Sequence, residues 1–280
     1  MLVRVAMLLL AALTGVAPAA EPPAAGLRFV RAGAPPRLLD AATLARECGA
    51  VTVELDDPYY GTRKRFRACP LATVLLLGLG KPIDAFAGET VFFRARDGYA
   101  KPAPAALLAE AGGFVAFADA DHARGDAPGW QPIDRKQVDP GPFYVVWTGA
   151  EQQDTHRYPW PYQLLEIEVA PIERLYPHIA PTGMAADSPA QAGYAVFRAQ
   201  CIACHAINGE GGTIGPDLNV PRSIVEYRPA AQIKAYVRDP ASFRYTSMPA
   251  HPALSDRQLD DLIAYFTAMR DRKHDPGRAR

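Results

Sequence analysis

The pentad "CIACH" at residues 201–205 constrains this chain more than any other stretch. Two cysteines two residues apart, with a histidine directly after, serve few chemistries. A thioredoxin-like redox pair wants its cysteines at the start of a helix that follows a buried strand. The preceding "SPAQAGYAVFRAQ" reads as a helix instead. A zinc site needs four ligands, usually as two pairs, and the other two cysteines, Cys48 and Cys69, lie far upstream. Covalent attachment of a c-type haem uses all three residues. Cys201 and Cys204 would add across two vinyl groups of one macrocycle, and His205 would face the iron from the side the thioethers pin. One copy of the pentad implies one haem c.

The compartment agrees with that chemistry. The chain opens "MLVRVAMLLLAALTGVAPAAEPP". Arg4 gives a short positive start, an apolar run follows from Val5 to Val16, and "APA" at 17–19 offers the small residues that a signal peptidase reads. The run is shorter than the ~20 residues of a membrane-spanning helix, so a cleaved signal peptide over 1–19 is expected rather than an uncleaved anchor. The mature chain carries no second long apolar segment and is expected to be soluble in the periplasm, where paired thiols become disulfides. Lys plus Arg equals Asp plus Glu at 30 each, so no basic field exists to grip nucleic acid.

The residues around the pentad form a pattern of their own. Ser188 can cap the helix before it, Pro189 fits the first helical position, and Gln191 sits where a capping box needs it. Gly193 and Phe197 share one face. Near the end, "SDRQLDDLIAYFTAMR" at 255–270 repeats the box with Ser255 and Gln258. There Leu259, Leu262, Ile263, Phe266 and Met269 recur at helical spacing. Gly193, lacking a Cβ, would let the two helices cross closely.

Over about 188–272 this pattern resembles a class I cytochrome c. The resemblance implies that Gly193 and Phe197 pack on the last helix, with Tyr265 as the aromatic contact. It also implies that the carbonyl of Pro216, in the loop "GEGGTIGPDL", accepts the Nδ1–H of His205 and so orients the ring. Turn formation is the plainer task for Pro216. The sixth iron ligand would be Met248, which stands before Pro249 just ahead of the last helix. His251 is its main rival, while Met184 and Met269 read as linker and core residues. Met/His ligation raises the potential relative to bis-His. The haem edge beside the attachment cysteines is expected to be the exit for electrons.

Residues 27–172 mix strands and helices irregularly. Strands are predicted at 51–55, 90–95, 113–119, 142–149 and 163–170, and short helices at 41–48, 70–80 and 104–112, which together make an α+β domain. The segments "FRACPLATVLLLGLG", "RARDGYAKPAP" and "DPGPFYVVW" resemble the sulfite-oxidase-type, molybdopterin-binding fold over most of 38–170. In that fold the "DGY" loop and the Gly-Pro shape the cofactor side. The sequence departs where the molybdenum-ligating cysteine belongs, because "VTVELDDPYYG" is followed by none. Molybdopterin is therefore not expected. Cys48 and Cys69 are expected to form a disulfide, a free buried thiol being the alternative. Asp97, His122 and His156 could build a site, although each residue type is ordinary in a loop or on a surface.

The linker is expected at 173–187, the all-α cytochrome domain at 188–273 and a basic tail at 274–280. The whole reads as a mono-haem electron carrier that meets redox partner proteins such as a dehydrogenase, another cytochrome or a terminal oxidase. Its N-terminal domain would serve docking or regulation. The alternative is an oxidoreductase whose N-terminal domain binds a molybdopterin-type cofactor, oxidises a small substrate and passes electrons to its own haem.

Overall fold

The computed structural model describes residues 26–123, 129–133 and 137–277. The expected signal peptide and the last residues of the expected basic tail lie outside them. In chain order the elements are β1 (Gly26–Arg31), β2 (Arg37–Asp40), α1 (Ala41–Glu47), β3 (Val51–Asp57), β4 (Thr62–Pro70), α2 (Leu71–Leu79), β5 (Thr90–Ala95), β6 (Ala100–Pro104), α3 (Ala105–Leu108), β7 (Gly113–Asp119), β8 (Tyr144–Trp147) and β9 (Leu164–Ala170). They continue with α4 (Ile172–Leu175), α5 (Pro189–Gln200), β10 (Ala206–Ile207), β11 (Glu210–Gly211), α6 (Ile224–Tyr227), α7 (Ala230–Arg238) and α8 (Asp256–Arg270).

The N-terminal strands form two sheets, one ordered β2-β1-β9-β5-β6 and the other β3-β4-β7-β8. Alternation makes them two-faced. Along β3, Val53, Leu55 and Asp57 point inward while Thr52, Glu54 and Asp56 face solvent. β1 runs parallel to β9, and β9 is antiparallel to β5, so the first sheet is mixed. Phe66, Val74, Leu75, Val145, Trp147 and Trp160 are among the side chains of the shared core. The mixture of strands and helices agrees with the expected α+β class. The predicted helix at 104–112 is shorter, closing after Leu108. The strands β1, β2, β4 and β6 of the N-terminal sheets fall outside the predicted set. β6 ("AKPAP") carries two prolines, which an edge strand tolerates because its outer N–H groups have no ladder to complete.

Cys48 and Cys69 are joined in a disulfide with their Cα atoms 5.7 Å apart. It ties the end of α1 to the end of β4. The buried Lys64–Asp119 ion pair, 2.6 Å long, and Asp57, which accepts the hydroxyl of Tyr144 at 3.0 Å, are among the polar inclusions of this core. Burial pushes the Asp57 carboxyl above its usual range despite those hydrogen bonds.

The C-terminal region is built on α5 and α8. Ser188 caps α5 by accepting the N–H of Gln191, and Ser255 and Gln258 form a reciprocal capping box on α8. The helices cross at Gly193, where an added Cβ would stand 1.9 Å from the carbonyl oxygen of Asp261 and 2.8 Å from Cβ of Tyr265. Phe197 meets Tyr265 with ring centroids 5.4 Å apart, and Leu259, Leu262, Phe266 and Met269 are buried. The expected all-α character is modified by a two-residue ribbon, β10 with β11, just after the pentad.

The stretch expected to link the two regions is packed. Tyr176 and Ile179 are buried in the same core as α5 and α8, and the hydroxyl of Tyr265 donates to the carbonyl of Ile179 at 2.7 Å. Phe92 of β5 joins that core too, edge-on to Tyr176 at 5.4 Å. Arg94, also on β5, donates to the Tyr176 hydroxyl.

Candidate haem site

The helix α5 ends at Gln200, and the pentad follows as a tight turn. Cys201 N–H bonds back to Phe197, and the N–H groups of Cys204 and His205 both bond to the carbonyl of Cys201. This turn presents both sulfurs and the imidazole from five consecutive residues. Cys201 and Cys204 are free thiols, half-buried and not bonded to each other. Burial pushes their pKa values up to about 12 and about 11. At neutral pH both are protonated, which is the reverse of the activated thiolate that a thioredoxin-type pair needs.

The ring of His205 is fixed from one side. Its Nδ1 lies 2.8 Å from the carbonyl oxygen of Pro216, which leaves Nε2 as the free donor. Gly215 makes that approach possible: a Cβ there would stand 2.3 Å from Cε1 of the ring. The loop is held to the pentad by backbone bonds from Gly212 to Ile202 and from Gly215 to Cys204, both 2.8 Å. Burial lowers the pKa of His205, so the ring is neutral, as a metal ligand must be. Two thiols and one oriented neutral imidazole on a single turn fit a covalently attached haem.

Met248 is half-buried on the irregular segment between Phe243 and α8, where Phe243 is half-exposed and Tyr245 fully exposed. Its N–H donates to the Thr246 hydroxyl at 3.1 Å. His251 is buried, only 6 % exposed, with its N–H on the carbonyl of Val237. Its ring sits 5.0 Å from that of His156 in the N-terminal region. Met269 lies in the core and Met184 is exposed. Asp97, His122 and His156 are not assembled into one site. Asp97 accepts the N–H of Tyr99, His122 leans on Asp119, and His156 meets His251.

The N-terminal region packs against the backbone of the pentad. Ala100 N–H donates to the carbonyl of Ala203, and Thr213 N–H donates to the carbonyl of Gly98, both at 2.9 Å. The "DGY" turn is thus laid along the pentad and its following loop. Lys101 is buried at the same seam. Sequence reasoning missed Ala100 and Lys101 because a short proline-rich edge strand carries no periodicity.

It also missed Asn208 and Asn219. Asn219 donates to Asn208 and to the carbonyl of Met269, tying the loop after the pentad to α8. Only their burial in a polar loop could have marked them.

Residues 190–269 match the cytochrome c family, and the C-terminal region is a cytochrome c domain. The chain is 32% identical over 77 residues to cytochrome c oxidase subunit 2 of Alkalihalophilus pseudofirmus, covering 25% of this chain and 22% of that protein. It is 32% identical over 124 residues to thiosulfate dehydrogenase of Thiomonas intermedia, covering 42% of this chain and 37% of that protein. The chain therefore spans well under half the length of these relatives. Among the described residues no helix is long and apolar enough to cross a membrane.

Proposed function

We propose that the chain is an exported, mono-haem c-type cytochrome that carries single electrons between redox proteins, with an N-terminal, sulfite-oxidase-like domain that serves docking or regulation. The observation that carries this reading is the Pro216 carbonyl on Nδ1 of His205, on the same turn as Cys201 and Cys204. Cys201 and Cys204 hold the macrocycle, His205 gives one axial nitrogen and Met248 the opposite sulfur. A bound haem would supply a one-electron couple. The protein's own task is to exclude water and to fix the ligands.

Two observations favour a carrier over an enzyme with a pterin cofactor. Cys69 is consumed in the disulfide, so no thiolate in the N-terminal region is free for molybdenum. The "DGY" turn, which the resemblance places on the cofactor side, lies against the pentad. The likeness to thiosulfate dehydrogenase carries a second reading, in which the haem takes electrons from a small sulfur compound bound beside it.

The test is a mass and metal analysis of protein expressed with its export signal. The carrier reading expects the cleaved chain plus one covalent haem and no molybdenum. A mass equal to the bare chain, or haem extracted by acidic solvent, overturns it. Reduction of the haem by thiosulfate alone, at catalytic rates, would move the protein to the second reading.

A further inference from the structure

Lys101 belongs to the N-terminal region, yet its ammonium is spent partly on the cytochrome domain. It lies on β6, opposite Phe93, and is 6 % exposed. Its Nζ donates to the carbonyl of His156 at 2.9 Å and to that of Ala199 at 3.2 Å. Both partners are backbone carbonyls, so neither neutralises its charge. Ala199 belongs to the last turn of α5, directly before Gln200 and Cys201, where the carbonyl ends of the helix favour a cation. The strand that carries Lys101 cannot slide away, since Ala100 is bonded to Ala203 and Gly98 to Thr213. Burial lowers the pKa of this lysine below its ordinary value, and Cys204, Asp154 and Cys201 act against that, so the amine is within electrostatic range of both cysteines. The other charged or titratable groups around this seam include Asp97, Tyr59, Tyr99, Asp154, His156, His205 and His251.

Adding one electron to the haem adds one negative charge. A fixed positive charge nearby, in a region shielded from solvent, favours that reduced state. We propose that Lys101 is a positioning residue supplied by the N-terminal region, whose buried charge raises the reduction potential of the haem held by Cys201, Cys204 and His205. The N-terminal region then sets the energy at which electrons are accepted, besides packing against the pentad turn. This rests on the haem reading above.

The experiment is potentiometric titration of the full-length, haem-loaded chain and three variants. Lys101→Met and Lys101→Gln remove the charge, and Gln keeps a donor for the carbonyls. Both should make reduction about tenfold less favourable, a shift of about 59 mV for one electron. Lys101→Arg, which keeps the charge, should stay near the parent. Amide exchange at Ala203 reports whether the seam stays closed. A potential unchanged in Gln and Met overturns the proposal, and so does a fall in Arg as large as that in Met, because contact rather than charge would then be the cause. If no variant and no parent carries covalent haem, it is the haem reading that fails. If haem is attached and the potential does not move, only the role of Lys101 fails.

Discussion

The backbone N–H of Ala100 donates to the carbonyl of Ala203, 2.9 Å away, and so joins an edge strand of the N-terminal region to the middle of the haem-attachment turn. Together with the bond from Thr213 to Gly98, this lays the N-terminal region along the CxxCH turn and the loop that follows it. The exposed side chains of Phe243 and Tyr245 stand elsewhere, near Met248 in sequence.

Gly193 should tolerate no side chain. Its α-carbon lies where α5 crosses α8, and a methyl group would meet the carbonyl oxygen of Asp261, which belongs to a helix backbone and cannot rotate away. Gly193→Ala is expected to cost about 3 kcal/mol, the upper end of overpacking penalties, although alanine is the better helix former. Thermal melts of the haem-loaded parent and variant measure it. A variant that melts at or above the parent temperature would show that the crossing is looser than the structure has it.

Met248→Ala should remove the thioether ligand. The ferric protein would lose its weak iron–thioether absorption band, and the potential would fall, since Met/His ligation raises a haem's potential relative to bis-His. His251→Ala should leave the band in place, because His251 is anchored to Val237 and faces His156. A band that survives in Met248→Ala but vanishes in His251→Ala or Met184→Ala reverses the assignment.

What can be read from the sequence is short-range. The pentad, the capping box at Ser255 and the Gly193–Phe197 pair depend on neighbours a few residues apart, and the structure has them as the spacing implies; at Ser188 only the cap forms, because the Gln191 side chain donates to the carbonyl of Pro181 instead of completing a box. Cys48 and Cys69 can be paired only because they are the two cysteines left in an oxidising compartment. Lys101 cannot be found at all. In sequence it is a lysine between Ala100 and Pro102, the commonest kind of surface residue, and its burial follows from a packing partner far along the chain at Ala199. Tyr176 and Ile179 read as linker for the same reason: Pro, Gly and Ala around them show no period, and the core they enter is made by α8.

The Cys48–Cys69 disulfide closes a loop with a sequence separation of 21, for which chain entropy gives about 3 kcal/mol of stabilisation. Replacing both cysteines by serine should lower the stability of the N-terminal region by that amount and move its urea midpoint down, with the slope changed because the unfolded chain expands. Absorption of the haem should not change, as the bond ties α1 to β4, within the N-terminal core. Alkylation of the unfolded, unreduced parent gives a second reading, and two labelled cysteines among residues 27–172 would rule the bond out.

Stability should fall as acid is added through the range of His251. Burial, with His156, Lys101 and His205 nearby, lowers its pKa to about 4 from the ordinary 6.5. Above 6.5 the ring is neutral in both the folded and the unfolded chain, and its contribution is fully present. Between 6.5 and 4 the unfolded chain binds the proton and the folded one does not, so stability drops as pH falls, by about 3 kcal/mol at most. Urea titrations of the haem-loaded protein at about pH 7.5 and about pH 5, on either side of the ordinary imidazole range, should differ accordingly. His251→Phe, which fills the same space without a titrating nitrogen, should narrow the difference. If the variant and the parent lose the same stability over that interval, the acid sensitivity belongs to other groups, and the buried contact of His251 with His156 carries no cost of protonation.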